Sequence, residues 1–293
     1  MMFTPNNPYA NALDGLELAD PVSAFFDFCR ERENIRIRRQ KKESRPWTDD
    51  PIFRKGRFLN VFREDDRGSK SILRFCRSFE NNLSDLIHAL FFSRWCNRQE
   101  TLDIIPHDLL SKPKELSTFL DSINNWCNET AYPVEPVYWK DSEFSRRETA
   151  VYLFPEIKAT LMDSIISANK NVIDATKTIG SLFKMKNDFP VFMAVIDIGW
   201  FRPDIISPKS PVPTGIGAVA YLDRLQEFLG LSNHDDTCQK MIELQHKHWP
   251  EAKRTFNPID IEYLSCECRK YYSYVNGTKV FQGKNKFIPK NTR

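Results

Sequence analysis

Three features of the sequence predict a mainly α-helical protein. Apolar residues recur at i, i+3, i+4 and i+7 over long stretches. Asp-Pro, Gly and Asn-Gly signals stand where those stretches start and stop, and no alternating stretch is long enough for a large sheet. The 293 residues, 41% hydrophobic and 28% charged, suffice to bury a sizeable core without disulfides.

The first helix opens at Asp20-Pro21, a capping carboxylate followed by proline at the first helical position. Val22, Phe25, Phe26 and Cys29 form its buried stripe, and Arg30, Arg32, Arg36, Arg38 and Arg39 emerge toward its end. A second helix is expected from Ser69 to Asn97, where apolar residues from Ile72 to Phe91 keep a 3.6-residue period. Further helices are expected over 113–127, 148–169, 172–186 and 190–200. The four prolines between 202 and 213 make a loop. Helices follow over 218–229, ending at Gly230, over 237–249, stopping before Pro250, and over 258–274, ending near Asn276-Gly277. No internal repeat or low-complexity segment is visible. Residues 1–20 read as an N-terminal extension and 21–293 as one helical domain, alternatively divided into a basic lobe (21–100 with 253–293) and an acidic lobe (101–252).

Charge is unevenly distributed. The net +3 conceals +8 over residues 30–99, −7 over 100–252 and +6 over 253–293. If the basic ends fold together they make a cationic face for a polyanion, most commonly nucleic acid; otherwise the same residues solvate helix faces. No apolar run approaches a membrane span, and MMFTPNNPYANALDG lacks the basic flank and apolar stretch of a signal peptide. A soluble protein of the cytoplasm, with no membrane partner, is therefore expected. Seven cysteines without a repeated spacing read as free thiols.

Several chemistries are excluded by motif. Arg67-Gly68-Ser69-Lys70-Ser71 is not a phosphate-binding loop, since Lys70 does not follow glycine and Arg63 occupies the place of the first glycine. There is no Gly-X-Ser-X-Gly elbow and no His-Glu-X-X-His helix. Cys266, Cys268, His246 and His248 have Cys-X-Cys and His-X-His spacings that poorly match zinc ligation, so neither metal nor cofactor is expected.

Three stretches remain. RPWTDDPIFRKGRFLNVFREDDR at 45–67 sets Asp49/Asp50 and Asp65/Asp66 among six basic residues and interleaved aromatics, either a working site or a turn between two helices. PTGIGAVAYLDRL at 213–225 places Gly215 and Gly217 before a helix, where backbone N–H groups can face a phosphate or merely form a tight turn. DIEYLSCECRKYYSYVNG at 260–277 sets Asp260 and Glu267 seven apart on one helix face, with Lys270 three residues on.

Together these stretches resemble the DNA base hypermodification family of phages. The family comprises the α-glutamyl/putrescinyl thymine pyrophosphorylases, or amino acid:DNA transferases, and is related to the helical domain of the 5-hydroxymethyluracil DNA kinases. FFDFCRERENIRIRRQKKESRPWTDDPIFRKGRFLNVFREDDR at 25–67 follows the family's R-X-X-I-Y-X-R-R, P-W-T-X-D-P-I-L and F-X-N-V-X-R-E-X-D-R pattern. Phe192-Met193-Ala194, TGIGA at 214–218 and LSCECRKYY at 264–272 match it more loosely. The family's Gln and following Asp fall at Ile196 and Trp200, with Asp197 one helical turn away, and an Asp of the last helix is Arg269 here.

The resemblance implies a helix-hairpin-helix DNA-glycosylase-like helical fold. It also implies a transferase that replaces the phosphate of 5-phosphomethyl-deoxyuridine in double-stranded DNA with the amine of an amino acid or polyamine. Arg38, Arg39, Trp47, Thr48, Asp50, Asn60, Arg63, Asp66, Arg67, Glu267 and Lys270 are the site residues it implies. Gly215 and Gly217 supply the turn. Chemically, Arg63 and Arg67 could share one phosphate, Asp66 or else Asp50 could take the ammonium proton, and Trp47 could stack on an extruded base. The alternatives are a non-catalytic DNA-binding module partnering a DNA kinase, or a DNA glycosylase-like enzyme. In the purely structural alternative Asp50 caps a turn, Arg63 pairs with Asp66 and Trp47 is core.

Overall fold

The computed structural model describes residue 9, residues 11–129 and residues 134–278. In chain order the helices are α1 (Pro21–Gln40), α2 (Pro51–Lys55), α3 (Arg67–Cys76), α4 (Leu83–Cys96), α5 (Gln99–Leu102), α6 (Pro113–Asp121), α7 (Arg146–Glu148), α8 (Phe154–Ser167), α9 (Val172–Leu182), α10 (Phe189–Phe201), α11 (Val219–Leu229), α12 (His234–His248) and α13 (Pro258–Val275). The described sheet is one hairpin, β1 (Val137–Trp139) and β2 (Ser142–Phe144). The chain forms two compact units, Met1–Asp65 with Val212–Arg293, and Asp66–Pro211. These boundaries cut across the charge blocks: the first unit has 24 Lys/Arg against 20 Asp/Glu, the second 18 against 19.

In the first unit, α1 begins as its sequence dictates. Asp20 Oδ1 accepts from the Val22 and Ser23 amides at 3.0 and 2.9 Å, and Pro21 fills the position whose N–H would have no helical partner. Its buried stripe, Val22, Phe25, Phe26, Phe28 and Cys29, meets an aromatic core. Phe25 packs edge-on to Phe256, and Phe26 stacks on His248 of α12 at 5.1 Å. Each such buried ring contributes about 1.5–3 kcal/mol. α11 ends at Gly230, whose φ of 66° only glycine adopts without strain. α12 starts three residues before the expected Thr237, because Asn233 caps it, accepting from the Asp236 amide at 2.8 Å.

The connection over 41–67 has structure of its own. Asp50-Pro51 repeats the Asp20-Pro21 signal, and Asp50 Oδ1 caps α2 through the Ile52 and Phe53 amides at 2.7 and 2.9 Å. A 3-10 turn follows at Arg63–Asp65.

In the second unit the single helix expected from Ser69 to Asn97 is broken. Asn82 is extended (φ −126°, ψ 112°), and its side chain accepts from the Asp85 amide to start α4 anew. The apolar period runs through the break because both helices face one core. α6 also stops early, at Asp121 rather than Cys127, and Asn125 takes a left-handed φ of 57°. The helical run over 146–167 widens to a π turn at Thr149–Leu153 just before Pro155, whose ring nitrogen cannot donate to the preceding turn. α10 is buried from Pro190 to Gly199, and inside it Asp197 accepts two bonds from Arg94, at 2.5 Å from Nε and 2.7 Å from Nη2. No helix among the described residues is long and apolar enough to cross a membrane.

His88 of α4 is enclosed, and its Nε2 has no partner among the described residues. Burial, with the Lys158 charge, pushes its pKa down to about 4. An unfolded chain binds this proton near pH 6.5, so between about 6.5 and 4 the unfolded state holds one proton more than the native state. The stability of this unit should therefore fall as the medium is acidified through that window, by about 1.4 kcal/mol per pH unit at most. Amide exchange of α4, corrected for intrinsic rates, should show this slope, and His88→Gln should flatten it.

Candidate functional site

The exposed part of the signature lies at the end of α1. The Arg45 guanidinium sits 4.6 Å from the Trp47 ring centroid and that of Arg39 5.9 Å from it. The indole is fixed by its edge and backbone: Nε1 donates to the Glu43 carbonyl at 2.8 Å, and Arg38 Nη1 donates to the Trp47 carbonyl at 2.5 Å. Trp47 is thus half-buried rather than a core residue, with exposed Arg39, Lys41, Lys42, Arg45 and Arg57 in the surrounding sequence.

Thr48, the next residue, is buried; its hydroxyl accepts from the Asp50 amide at 3.1 Å, and its carbonyl accepts from Arg54 Nε at 2.8 Å. Asp50 caps α2 with Oδ1 and accepts from the Tyr271 hydroxyl with Oδ2 at 2.5 Å. Burial, and then this bond, raise the Tyr271 pKa. Both oxygens of Asp50 are engaged internally, which suits a structural anchor better than a proton acceptor. Asn60 is a brace, accepting from Arg32 at 2.6 Å and donating to the Asp65 carbonyl at 3.0 Å, while the Tyr263 hydroxyl donates to the Asn60 and Val61 carbonyls.

The 3-10 turn that carries Arg63 is held by ions. Arg254 donates to both oxygens of Glu64 at 2.9 Å and to both of Asp260 at 2.6 and 3.0 Å, and Lys253 reaches Glu64 and Asp65 at 3.0 and 2.6 Å. Burial opposes the Glu64 charge, yet the Arg254 bonds hold its pKa down to about 2. Arg63 itself lies with its guanidinium 5.9 Å from the Tyr263 ring. Asp66 and Arg67 belong to the second unit. Asp66 is extended (φ −68°, ψ 142°) between the 3-10 turn that carries Arg63 and the helix that Arg67 opens, and Arg67 Nε donates to Gln99 at 2.7 Å. Asp66 precedes α3 without a side-chain capping bond.

The Gly-X-Gly turn takes the second of its two readings, a tight turn. The Gly215 N–H donates to Glu262 Oε1 at 2.8 Å, so this amide is already engaged by a carboxylate. A Cβ at Gly215 would lie 2.9 Å from that oxygen, and one at Gly217 would lie 2.6 Å from Cys266 Sγ. The close approach of α13 favours glycine at both positions, through Cys266 Sγ at 217 and the movable end of Glu262 at 215, and Glu262, Cys266 and Arg269 share one face of that helix at i, i+4 and i+7. Burial raises the Glu262 pKa to about 7 against the opposing pull of the Gly215 N–H and the Arg63 charge. Beside them Glu267 accepts from the Leu59 amide at 2.9 Å and from Lys270 Nζ at 2.8 Å, and Lys270 lies 4.9 Å from the Phe58 ring centroid.

The first unit therefore gathers Arg63, Gly215, Gly217, Glu262, Glu267 and Lys270 where the 59–63 segment, the turn and α13 meet, while Arg38, Arg39, Trp47 and Thr48 lie along the end of α1 and the strand of chain after it. Arg269 donates to the Gly217 carbonyl at 3.1 Å and lies 3.9 Å from the Tyr9 ring centroid, so this departure from the family pattern is built into the turn. Asp197 does not replace the missing polar groups near Ile196 and Trp200; it is consumed by Arg94. Among the described residues no group of three or more His, Cys, Asp or Glu side chains could hold a metal ion. The C-terminal lysines beyond residue 278 lie outside the described residues. Glu262 and Arg254 were missed by sequence reasoning; the only signal for Glu262 is an acidic residue on the helix face that meets a Gly-X-Gly turn.

The sequence profile of the "5-hmdU DNA kinase, helical domain" matches residues 20–279, nearly the whole chain. Comparison with curated proteins and with solved structures gave no match. The chain belongs to this helical-domain family, 5-hmdU being 5-hydroxymethyl-2′-deoxyuridine.

Proposed function

We propose that the protein is a transferase acting on DNA whose 5-hydroxymethyluracil has been phosphorylated, replacing the phosphate with the amine of an amino acid or polyamine. The observation that carries this reading is the Arg39–Trp47–Arg45 stack with its surrounding exposed cations, in a chain of this family. An indole fixed by its edges and faced by guanidiniums offers a stacking platform for an unpaired base and cations for the flanking phosphates. Arg63 takes the phosphate of the modified base, because a guanidinium stays charged and bonds bidentately. Asp66 is the first candidate for the proton acceptor and Asp50, which caps α2 and accepts from Tyr271, the second. The helical architecture is in keeping with a glycosylase-like fold that presents an extruded base.

A second reading is a non-catalytic DNA-binding module that partners a DNA kinase. It is favoured by the internal engagement of Asp50 and Glu267, two of the carboxylates the family pattern marks.

DNA containing 5-phosphomethyluracil, incubated with the protein and a mixture of amino acids and polyamines, should yield amine-substituted thymine and free phosphate by nucleoside mass spectrometry. Plain thymine and unphosphorylated hydroxymethyluracil should stay unchanged. Contact with about four phosphates would make log affinity fall with log salt at a slope of about −3.6. Arg39→Ala should weaken binding to all sequences alike, since phosphate contacts position without reading. DNA binding without transfer would favour the module, and a flat salt response would remove the cationic surface from both readings.

A further inference from the structure

Thr214, His234 and Asp223 form a hydrogen-bonded chain in the first unit. The Thr214 hydroxyl lies 3.1 Å from His234 Nδ1, and His234 Nε2 lies 2.8 Å from Asp223 Oδ1. Three separate elements supply it: the turn before α11, α11 itself and the first residue of α12. The His234 side chain is 18% exposed and that of Asp223 60%, with Thr214 half-buried, so the chain opens outward rather than into the core. A carboxylate only accepts, so Nε2 must carry a proton in either charge state of the ring. Nδ1 is then the position at which the ring gains or loses its proton, and it faces the Thr214 oxygen. Thr214 precedes Gly215, whose amide holds Glu262, the carboxylate facing Arg63. The Thr214 end of the chain is thereby joined, through the Gly215 amide and Glu262, to the residue assigned to the phosphate.

The proposed reaction needs such a group. Breaking the C–O bond of a phosphate monoester dianion would release the strongly basic phosphate trianion, a poor leaving group unless its oxygen is protonated as it departs.

We propose that Thr214, backed by His234 and oriented by Asp223, delivers a proton to the departing phosphate, a role that rests on the transferase reading. The amine nitrogen forms the bond to the exocyclic methylene, and the C–O electron pair leaves with oxygen. That oxygen takes the Thr214 hydroxyl proton while imidazolium Nδ1 returns one to Thr214. His234 is left neutral, with Nε2–H still on Asp223, and hydrogen phosphate departs. Thr214 is the catalytic residue and Asp223 a positioning residue. Of the titratable groups, Asp223 of α11 bonds the ring; Asp235, Asp236 and Cys238 lie in the same helix as His234, and Glu262 acts on Cys238.

The test compares leaving groups in the full-length protein. On DNA carrying 5-phosphomethyluracil, Thr214→Val and His234→Gln should each lower the rate about 10²–10⁴-fold, and the alkaline fall of the wild-type pH–rate profile should disappear in His234→Gln. On DNA carrying the corresponding sulfate ester, whose weakly basic leaving group needs no proton, the same variants should stay within a few-fold of the wild type. Thr214→Ser should retain the rate on both. Equal losses on phosphate and sulfate substrates would overturn the relay and leave these residues a structural link. Unimpaired variants on the phosphate substrate would overturn it while leaving the transferase reading intact. A wild type that transfers no amine from either ester would sink that reading and the relay's role with it.

Discussion

Arg254→Met should destabilise the first unit by about 3–5 kcal/mol, the loss expected when one partner of a buried ion pair is removed. Asp260 is 1% exposed and its carboxylate rests on both Arg254 nitrogens, while Glu64 depends on the same guanidinium. Without Arg254 the Asp260 charge would be enclosed with the Asn257 amide as its remaining fixed donor. The cause is uncompensated charge rather than lost packing, so the triple variant Glu64→Gln, Arg254→Met, Asp260→Asn should recover much of the loss. Urea unfolding with amide exchange of α13 as the local probe would measure both. A change below about 1 kcal/mol in the single variant would mean that water reaches the carboxylates and that the network is a surface one.

Asp66→Asn should lower the rate of amine transfer about 10²–10⁴-fold and leave DNA affinity almost unchanged. Asparagine keeps the volume and cannot take the ammonium proton at neutral pH. The residue precedes α3 without a side-chain capping bond to that helix, so the substitution should spare the start of α3, in contrast to Asp50→Asn, which weakens the cap of α2. Arg63→Lys should also lose rate, because a point charge does not reproduce two parallel bonds to a phosphate. If Asp66→Asn instead melts α3 and the second unit, the acidic residue is structural and its assignment as the base fails.

The fold was legible where a helix announces its own ends. Asp20-Pro21 and Gly230 mark boundaries by local chemistry: α1 starts at Pro21 as expected, and α11 runs Val219–Leu229 against an expected 218–229. Asp50-Pro51 carries the same signal as Asp20-Pro21, and Asp50 Oδ1 makes the cap that the structural alternative assigned to it. The break at Asn82 was hidden because two consecutive helices bury their apolar residues against one core, which preserves the period across the interruption. α6 was overextended because the apolar residues after Asp121 pack without continuing the helix.

Within the candidate site, what could be read was the presence of cations and aromatics over 38–67. What could not be read was who holds whom. Arg254 meets Glu64 from 190 residues away and Gly215 meets Glu262 from 47 away. Such pairs exist only after tertiary packing, and neither partner has a local pattern that names the other. The Thr214–His234–Asp223 chain is hidden for the same reason, as its three members come from three elements.

The contact between Gly215 and Glu262 bears on how this chain can drift. Position 215 is crowded while a glutamate stands at 262: a methyl group there would lie 2.9 Å from the carboxylate oxygen, so the end of the Glu262 side chain must move and loosen its bond to the 215 amide. The constraint on the glycine thus belongs to a helix 47 residues later and vanishes if that helix carries a shorter residue. The two positions are coupled in descent: a descendant that loses the glutamate is released to fill the turn, and one that fills the turn first carries a displaced Glu262 until α13 changes to accommodate it.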